Sequence, residues 1–597
     1  MRGTLLLLLL PGALGAGLLS RLPAGAPSEA PAGDGLQVLP FGLMTEVRRS
    51  DVRAPMQVQL YNGSAQPLSL EELAVLKPTG EVLARVHLEG ERLSGDGGAY
   101  EELLLQLERA DPELSHRHHN RLFVPLAERV VLSPAQEARN YEEIQAAVRA
   151  LRDAGAPQVR NVRFEVDLGA LFGAAAVPGD EAAFDVVVRY HAGGRAQEAV
   201  YTHGLSLLPA YLPPPAEWHA GRGGRGAQEW MTGDLHVHNC RDQAAGGCPD
   251  CPAESVNITG SFTNADLKSQ FIALGVDWFS SSTHSYCINS DGEFNAMVAE
   301  TVALDDPGFV LLAGTEVTGR ETGPQTGGDG ADALCFLGGG VLSVHHMGAH
   351  GITARKVGGS DGFLQLCDPP MNNARDNTAA VNAEGGFSIV NHAASSLWAW
   401  NSVAQAFGIE RNQLWGVEIM NANTSYVDWW TGRLLAGRVL YPYSGSDTHD
   451  AAFDWPSNHA LVDLPMNDAS VTAALRAGRN YISNGPFLTL ELSDGSGRSA
   501  DMGSINLVPA SRIPDNYPID VNVFFNAGAD VVDIAVYRGL SMGAETLLQA
   551  FTGVTGSGQL LADDTVQKTG ISWYRVELQS QSTSALAFTS PVFIVPR

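Results

Sequence analysis

The middle of the chain, residues 229–485, repeats one arrangement: an apolar segment of strand length, a short polar motif and a helix. The segment 266–274 has the pattern of a helix and leads into an apolar strand at 275–279. The turn at 305–308 leads into another apolar strand at 309–313. Buried strands that alternate with helices are typical of parallel βα units, whose functional residues lie at the carboxyl ends of the strands.

Six of these apolar segments end in side chains that bind metals. The candidate ligands are His236 and His238 after the first segment, followed by His284, Glu316, His346, His392, and then Asp447 and His449. Two histidines two apart on a strand point to the same face, so both can bind one ion. Unpaired polar groups at six strand ends would be unstable without metal. We therefore predict a metal site, and its imidazole and carboxylate ligands suit Zn, Mn or Fe.

The order of these motifs resembles that of the PHP superfamily, which is named for polymerase and histidinol phosphatase. The resemblance covers residues 229–485: an HxH pair, a strand-end His, GxE, a His before an apolar-Gly-apolar segment, another His, and GSDxH. The segment 474–485, the flanking β-rich parts and the export signal described below resemble the secreted carbaryl-hydrolase-like branch of that superfamily.

The resemblance implies a distorted (β/α)7 barrel with two or three divalent metal ions at its mouth. It assigns His236, His238, Glu316 and Asp447 to a first ion, Glu316, His346 and His392 to a second, and His284 and His449 to a third. The family spacing to Gly351 selects His346 over His345 as the ligand. By the same spacing, His350 would support the ligands without binding metal itself.

Two ions bridged by a carboxylate can activate a shared water and stabilise both the attacking and the leaving oxygen. The resemblance thus implies a metal-dependent hydrolase acting on a small or oligomeric phosphoester, with Asp447 as the catalytic base. A carboxyl ester, carbamate or amide is the alternative substrate. A third hypothesis is a non-catalytic surface-binding protein with structural metal. A phosphate clamp would need basic residues, for which Arg241, Arg320 and Arg355 are the candidates.

The flanking parts carry strand-like alternation with turn residues between the strands. Residues 36–211 and 486–597 each predict a β-sandwich. A linker rich in Pro and Gly at 212–228 separates the first sandwich from the barrel at 229–485. The predicted fold is therefore a central barrel flanked by N- and C-terminal β-sandwich domains.

The N-terminus has the pattern of a secretory signal peptide over residues 1–26: an arginine at position 2, a run of six leucines at 5–10 and a small-residue cleavage site. We therefore predict an exported protein, periplasmic or extracellular. The mature chain has no further segment apolar enough to span a membrane. Export favours disulfides among the six cysteines, which are Cys240, Cys248, Cys251, Cys287, Cys335 and Cys367. A zinc knuckle on Cys248 and Cys251 is the alternative.

The formal net charge is −28 at pH 7. Such an acidic surface repels phosphate backbones, which argues against a nucleic-acid-coating role. The oligomeric state cannot be predicted from the sequence.

Overall fold

A computed structural model gives the fold of the chain. It describes residues 35–40, 42–95, 159–218, 227–241, 262–285, 288, 290–319, 345–358, 374–393, 414–421, 424–448, 457–494, 496–508, 517–566 and 570–596. The predicted signal peptide, and residues 219–226 of the predicted linker, lie outside these ranges.

Two sheets form the N-terminal part. The first has the order β1-β3-β7 and comprises β1 (Leu36–Leu39), β3 (Arg53–Asn62) and β7 (Val159–Asp167). The second comprises β2 (Glu46–Val47), β4 (Leu68–Leu76), β5 (Val82–His87), β6 (Arg92–Leu93), β8 (Glu181–Ala192) and β9 (Arg195–Leu207). Their pairs are antiparallel except for β2 with β9.

A sheet of thirteen strands extends from the middle of the chain to its end. Its strands are β10 (Gln228–Val237), β11 (Trp278–Ser281), β12 (Val310–Leu312), β19 (Ser457–Asp463), β20 (Asn480–Ser483), β21 (Phe487–Ser493), β22 (Ser499–Asp501), β23 (Ile505–Val508), β24 (Tyr517–Leu540), β25 (Glu545–Val566), β26 (Ser572–Ser580), β27 (Leu586–Thr589) and β28 (Val592–Pro596). Because β20 pairs with β27, this sheet crosses position 485.

A third sheet, of six strands, lies within the middle part. It comprises β13 (Gly314–Gly319), β14 (His345–His350), β15 (Phe387–Val390), β16 (Gly416–Asn421), β17 (Thr424–Ser425) and β18 (Tyr441–Gly445). Isolated bridges join it to the thirteen-stranded sheet, one from Val237 to Thr448 and one from His284 to Glu316. These bridges bring the ends of β10 and β11 next to β18 and β13.

The described residues contain six helices. They are α1 (Leu168–Phe172), α2 (Asn264–Ala273), α3 (Asp291–Leu304), α4 (Ala374–Ala383), α5 (Val427–Leu435) and α6 (Asp468–Arg476). Helices α2, α3 and α6 begin with capping boxes, in which the side chain before the helix and a side chain in its first turn exchange hydrogen bonds with backbone N–H groups. The helix expected at 266–274 is confirmed as α2.

The N-terminal sheets and the middle part share one apolar core. Val58 and Val188 of the two N-terminal sheets belong to the same buried cluster as Phe271 of α2 and Phe279 of β11. The Gln270 side chain donates to the Pro55 carbonyl at 2.8 Å, which fixes α2 against β3. Packing therefore continues across the predicted linker, while the domain boundaries themselves stay a prediction.

The predicted (β/α)7 barrel flanked by β-sandwich domains is wrong. In the described part of the chain, the strands of the middle part belong to two separate sheets instead of one closed parallel barrel, and strands outnumber helices throughout. The pairs β10–β19, β13–β14 and β14–β15 are antiparallel. A strand that is buried on both faces has the same apolar pattern whether its neighbour is parallel or antiparallel, so the pattern alone could not give the direction of pairing.

Cys240 is buried and disulfide-bonded. The other five cysteines lie outside the described residues. The remaining pairing stays a prediction. No helix among the described residues is long and apolar enough to cross a membrane.

His459 on β19 is buried and lies against two hydrogen-bonding groups and an aromatic ring. Its Nδ1 lies 3.0 Å from the Thr232 hydroxyl, its Nε2 lies 3.3 Å from the Ser483 carbonyl, and its ring stacks on Tyr481 at 4.5 Å. Burial, with a smaller effect of Arg48, lowers the pKa of His459 to about 3. The imidazole is therefore neutral in the folded protein.

This burial predicts a pH-dependent loss of stability. The unfolded chain takes up a proton at His459 below its ordinary pKa of about 6.5, whereas the folded chain does so only near 3. The free energy of unfolding is therefore not reduced by His459 above about pH 6.5, and it falls as the pH decreases from about 6.5 toward 3. We expect His459 to contribute a loss of about 2 kcal/mol between pH 7 and pH 5, which His459→Gln should remove. Equal losses for both proteins in urea unfolding would contradict this.

Candidate metal centre

Seven of the eight predicted ligands come together at one point between the two central sheets. His236 lies on β10, Glu316 on β13 and His346 on β14, whereas His238, His284, His392 and Asp447 lie just beyond the ends of β10, β11, β15 and β18. All seven side chains are buried. The eighth, His449, lies outside the described residues.

Glu316 is the centre of this cluster. Its Oε1 lies 3.2 Å from His236 Nε2 and 3.0 Å from both His346 Nδ1 and His392 Nε2. Its Oε2 lies 3.1 Å from His284 Nδ1 and 3.4 Å from His238 Nε2. One carboxylate therefore contacts five imidazoles and uses both of its oxygens to do so.

Asp447 completes the side of the cluster that holds the histidine pair. The Nε2 atoms of His236 and His238 are 3.0 Å apart. Asp447 Oδ1 lies 3.3 Å from the first and 3.1 Å from the second. Two nitrogens and carboxylate oxygens thus surround one small volume.

The distances fit a metal ion. Bonds of roughly 2.0–2.2 Å to nitrogen and oxygen place the ligand atoms of one ion about 3–3.5 Å apart, as they are here. Glu316 Oε2 and His346 Nδ1 are buried and have no hydrogen-bond partner among the described residues. Lone pairs that face one another in a buried site require a cation between them. These buried His, Glu and Asp groups could therefore hold a metal ion.

The charged groups of the protein also favour a positive charge within this cluster. Burial opposes ionisation of His236, yet Asp447, Glu316 and Glu418 outweigh it and raise its pKa well above the usual value. Burial likewise opposes the charge of Glu316, but the neighbouring histidines lower its pKa well below the usual value. A proton on the imidazole here takes the place that a metal cation would fill.

The backbone is strained at two of the predicted ligands. His392 has a φ of 29° and Asp447 a φ of 52°, both in the left-handed region that residues other than glycine rarely adopt. Such strain persists where surrounding contacts hold the residue, and it is concentrated at functional sites. Here it turns each side chain back toward the cluster just after its strand ends.

Two buried residues that contact the predicted ligands are not among those predicted from the sequence. Glu418 on β16 accepts a hydrogen bond from His236 Nδ1 at 3.0 Å. The Asn391 side chain donates to Glu316 Oε1 at 3.0 Å and accepts from the backbone N–H of Gly348 at 3.1 Å. Glu418 had a detectable signal in the sequence, because it is the only carboxylate in the mostly apolar strand Gly416–Asn421.

The histidines of β14 differ in what they contact. The Nδ1 atom of His346 lies 3.0 Å from Glu316 Oε1, and the resemblance assigns both residues to the second ion. The side chain of His345 lies outside the described residues. His350 is buried, lies 2.8 Å from the Ser280 hydroxyl through Nδ1, and has its pKa lowered to about 3 by burial. In the described residues it belongs to none of the groups able to hold a metal.

The proximity of the ligand atoms suggests a grouping different from the predicted one. Three sets have atoms within 4.8 Å of one another: His236, His238 and Glu316; His236, His392 and Asp447; and His284, Glu316 and His346. His284 thus lies with the predicted second-ion ligand His346. The assignment of ligands to individual ions stays a prediction.

His346 and His350 provide a matched test of the centre, since both are buried histidines on the same strand. We expect His346→Ala to remove one metal equivalent and to weaken metal binding by at least about 10- to 100-fold, the loss typical even of residues that only support a ligand. His350→Ala should cost stability but retain the full metal content by elemental analysis. Equal metal loss in both variants would contradict the assignment.

Comparison with known proteins adds little to this geometry. No protein-family model matches the chain, and a search of curated proteins found no match. Among solved structures, this chain is similar to the crystal structure of Parabacteroides merdae β-glucuronidase, with 7% sequence identity and a TM-score of 0.17. The match covers 94% of this chain but 65% of that one, so the chain spans less than two thirds of its length. A similarity this weak supports no conclusion about fold or function.

Proposed function

We propose that this chain is an exported metal-dependent hydrolase with a ligand set of the PHP type. The observation that carries the proposal is Glu316, whose two oxygens together contact five imidazoles. A carboxylate in this position is suited to bridging two cations. Two divalent ions held there, Zn, Mn or Fe, would lower the pKa of a shared water and stabilise the attacking and leaving oxygens.

The protein's own groups have distinct roles in this proposal. Asp447 Oδ1 lies beside the histidine pair and is the base that accepts the proton from the attacking water. The left-handed backbone of Asp447 keeps this oxygen at the cluster. His284 and His346 complete the opposite side, and a third ion would depend on His449.

We take a phosphoester as the first substrate class, because two bridged cations match the charges that develop in phosphoryl displacement. One observation favours the carboxyl ester, carbamate or amide alternative. Arg241 lies 2.6 Å from Glu300 and Arg355 lies 3.1 Å from Asp291, so two of the three candidate phosphate-binding arginines are already paired. The third, Arg320, lies outside the described residues.

The test is a panel of chromogenic phosphomonoester, phosphodiester and carboxyl-ester substrates. The full-length mature protein is stripped of metal and then reloaded separately with Zn, Mn or Fe(II). We expect turnover of one substrate class that depends on the metal. A protein that binds two ions but hydrolyses none of the panel would support the non-catalytic surface-binding hypothesis instead.

A further inference from the structure

We propose that Glu418 is the positioning residue that sets the geometry of both halves of the metal centre. It fixes the ligand atom of His236 and the backbone of His392 at the same time. This inference rests on the metal centre of the proposed function, but not on the identity of the substrate.

Glu418 is fully buried, and three donors are directed at its carboxylate. His236 Nδ1 lies 3.0 Å from Oε1. The backbone N–H of His392 donates to Oε2 at 2.8 Å, and the Asn421 side chain donates to the same oxygen at 2.9 Å. Both oxygens are thus occupied as acceptors, and each holds a different predicted ligand.

The contact with His236 determines which of its nitrogens can bind metal. A carboxylate surrounded by donors accepts hydrogen bonds, so the imidazole hydrogen lies on Nδ1. The Nε2 lone pair then points at His238, Glu316 and Asp447, which lie 3.0, 3.2 and 3.3 Å from it. Carboxylate partners of this kind orient metal-binding histidines in other proteins.

The contact with His392 acts on the backbone. His392 is in the left-handed region with a φ of 29°, a conformation that needs an external contact to hold it. The N–H of this strained residue donates to Glu418, and its ring reaches Glu316 Oε1 at 3.0 Å. One carboxylate on β16 therefore links a ligand from the thirteen-stranded sheet to a ligand from the six-stranded sheet.

Gly445 at the end of β18 makes room for this arrangement. A Cβ atom at that position would lie 1.9 Å from Glu418 Oε1 and 2.4 Å from His236 Cβ. Any side chain there would separate the carboxylate from the imidazole. The close approach of three strands thus depends on a glycine beside the Glu418–His236 pair.

Glu418→Gln and Glu418→Asp separate acceptor chemistry from shape. Glutamine has nearly the same shape, but its NH2 must face either His236 Nδ1 or the donors of His392 and Asn421. The first orientation moves the imidazole hydrogen to Nε2, and the second opposes donors to donors. Aspartate is shorter but keeps two acceptor oxygens. We therefore expect Glu418→Gln to weaken metal binding about 10- to 100-fold, and Glu418→Asp to weaken it less.

Metal affinity is measured by competition with a chromogenic zinc chelator, and stoichiometry by elemental analysis, after circular dichroism has shown that each metal-free protein is folded. The control is Glu545→Gln, which removes a carboxylate paired with the buried Arg575 at 2.6 Å but lies outside the cluster. It should bind zinc as the wild type does. If Glu418→Gln does not fold, Gly445→Ala replaces it, because it displaces the carboxylate without removing it and should weaken zinc binding likewise.

The outcomes distinguish this inference from the proposed function. Zinc binding by Glu418→Gln equal to that of the wild type, or stronger than that of Glu418→Asp, would show that Glu418 only fills space. Wild-type zinc affinity in Gly445→Ala would overturn the inference in the same way. A wild-type protein that binds two ions without hydrolysing any substrate would refute the hydrolase but leave the role of Glu418 intact.

Discussion

Glu316→Gln is expected to abolish turnover and to remove at least one metal equivalent while the chain remains folded. A neutral amide cannot bridge two cations, and its NH2 group would point a donor at imidazole nitrogens that need their lone pairs for metal. Because Glu316 contacts five histidines, we expect zinc affinity to fall by more than about 100-fold, beyond the usual loss for a residue that only supports a ligand. Elemental analysis and a chelator competition assay measure this.

Glu384→Gln is the matched control for that experiment. Glu384 accepts hydrogen bonds from the backbone N–H groups of Thr353 and Ala354 and pairs with the buried Lys356, but it contacts none of the predicted ligands. The control should lose some stability and keep its metal. Wild-type metal content and turnover in Glu316→Gln would show that the site is misplaced.

Metal removal is expected to have the second large effect. The purified mature protein should hold at least two transition-metal equivalents. Seven predicted ligand side chains converge from β10, β11, β13, β14, β15 and β18, and this number exceeds what a single ion can bind. These ligands connect two different sheets. Each ion should therefore stabilise the folded chain by about 4 kcal/mol when free metal is 1,000 times its dissociation constant.

Over a chain of this size, the loss of two ions should appear as a fall in Tm of about 6 °C when a chelator removes them. Readdition of Zn or Mn should restore it, whereas Mg²⁺, which prefers oxygen ligands, should not. A folded, unchelated sample with one metal equivalent or none would refute the two-ion centre.

Much of the candidate site could be predicted from the sequence because its signals are local. A polar side chain at the end of an apolar segment is visible in the sequence at His284, His392 and Asp447, and the structure brings all three to one point. Glu418 carries the same kind of signal within Gly416–Asn421. The resemblance does not include Glu418, because the family motifs contain the residues that bind metal, whereas Glu418 contacts two of those residues.

The arrangement of the sheets, and the atoms that meet at the candidate site, depend on the folded structure. Apolar strands such as β12 and β15 have the same pattern whatever the direction of their neighbours, so the sequence could not reveal that the middle part forms two sheets joined by isolated bridges. Nor could it show that His346 presents Nδ1, or that Glu418 holds His236 and His392 together. Which residues can bind metal could be predicted from the sequence alone, because that depends on side-chain chemistry and on the position of each side chain along a strand. Which of their atoms face one another depends on strand pairing between residues far apart in the chain, and only the folded structure determines that.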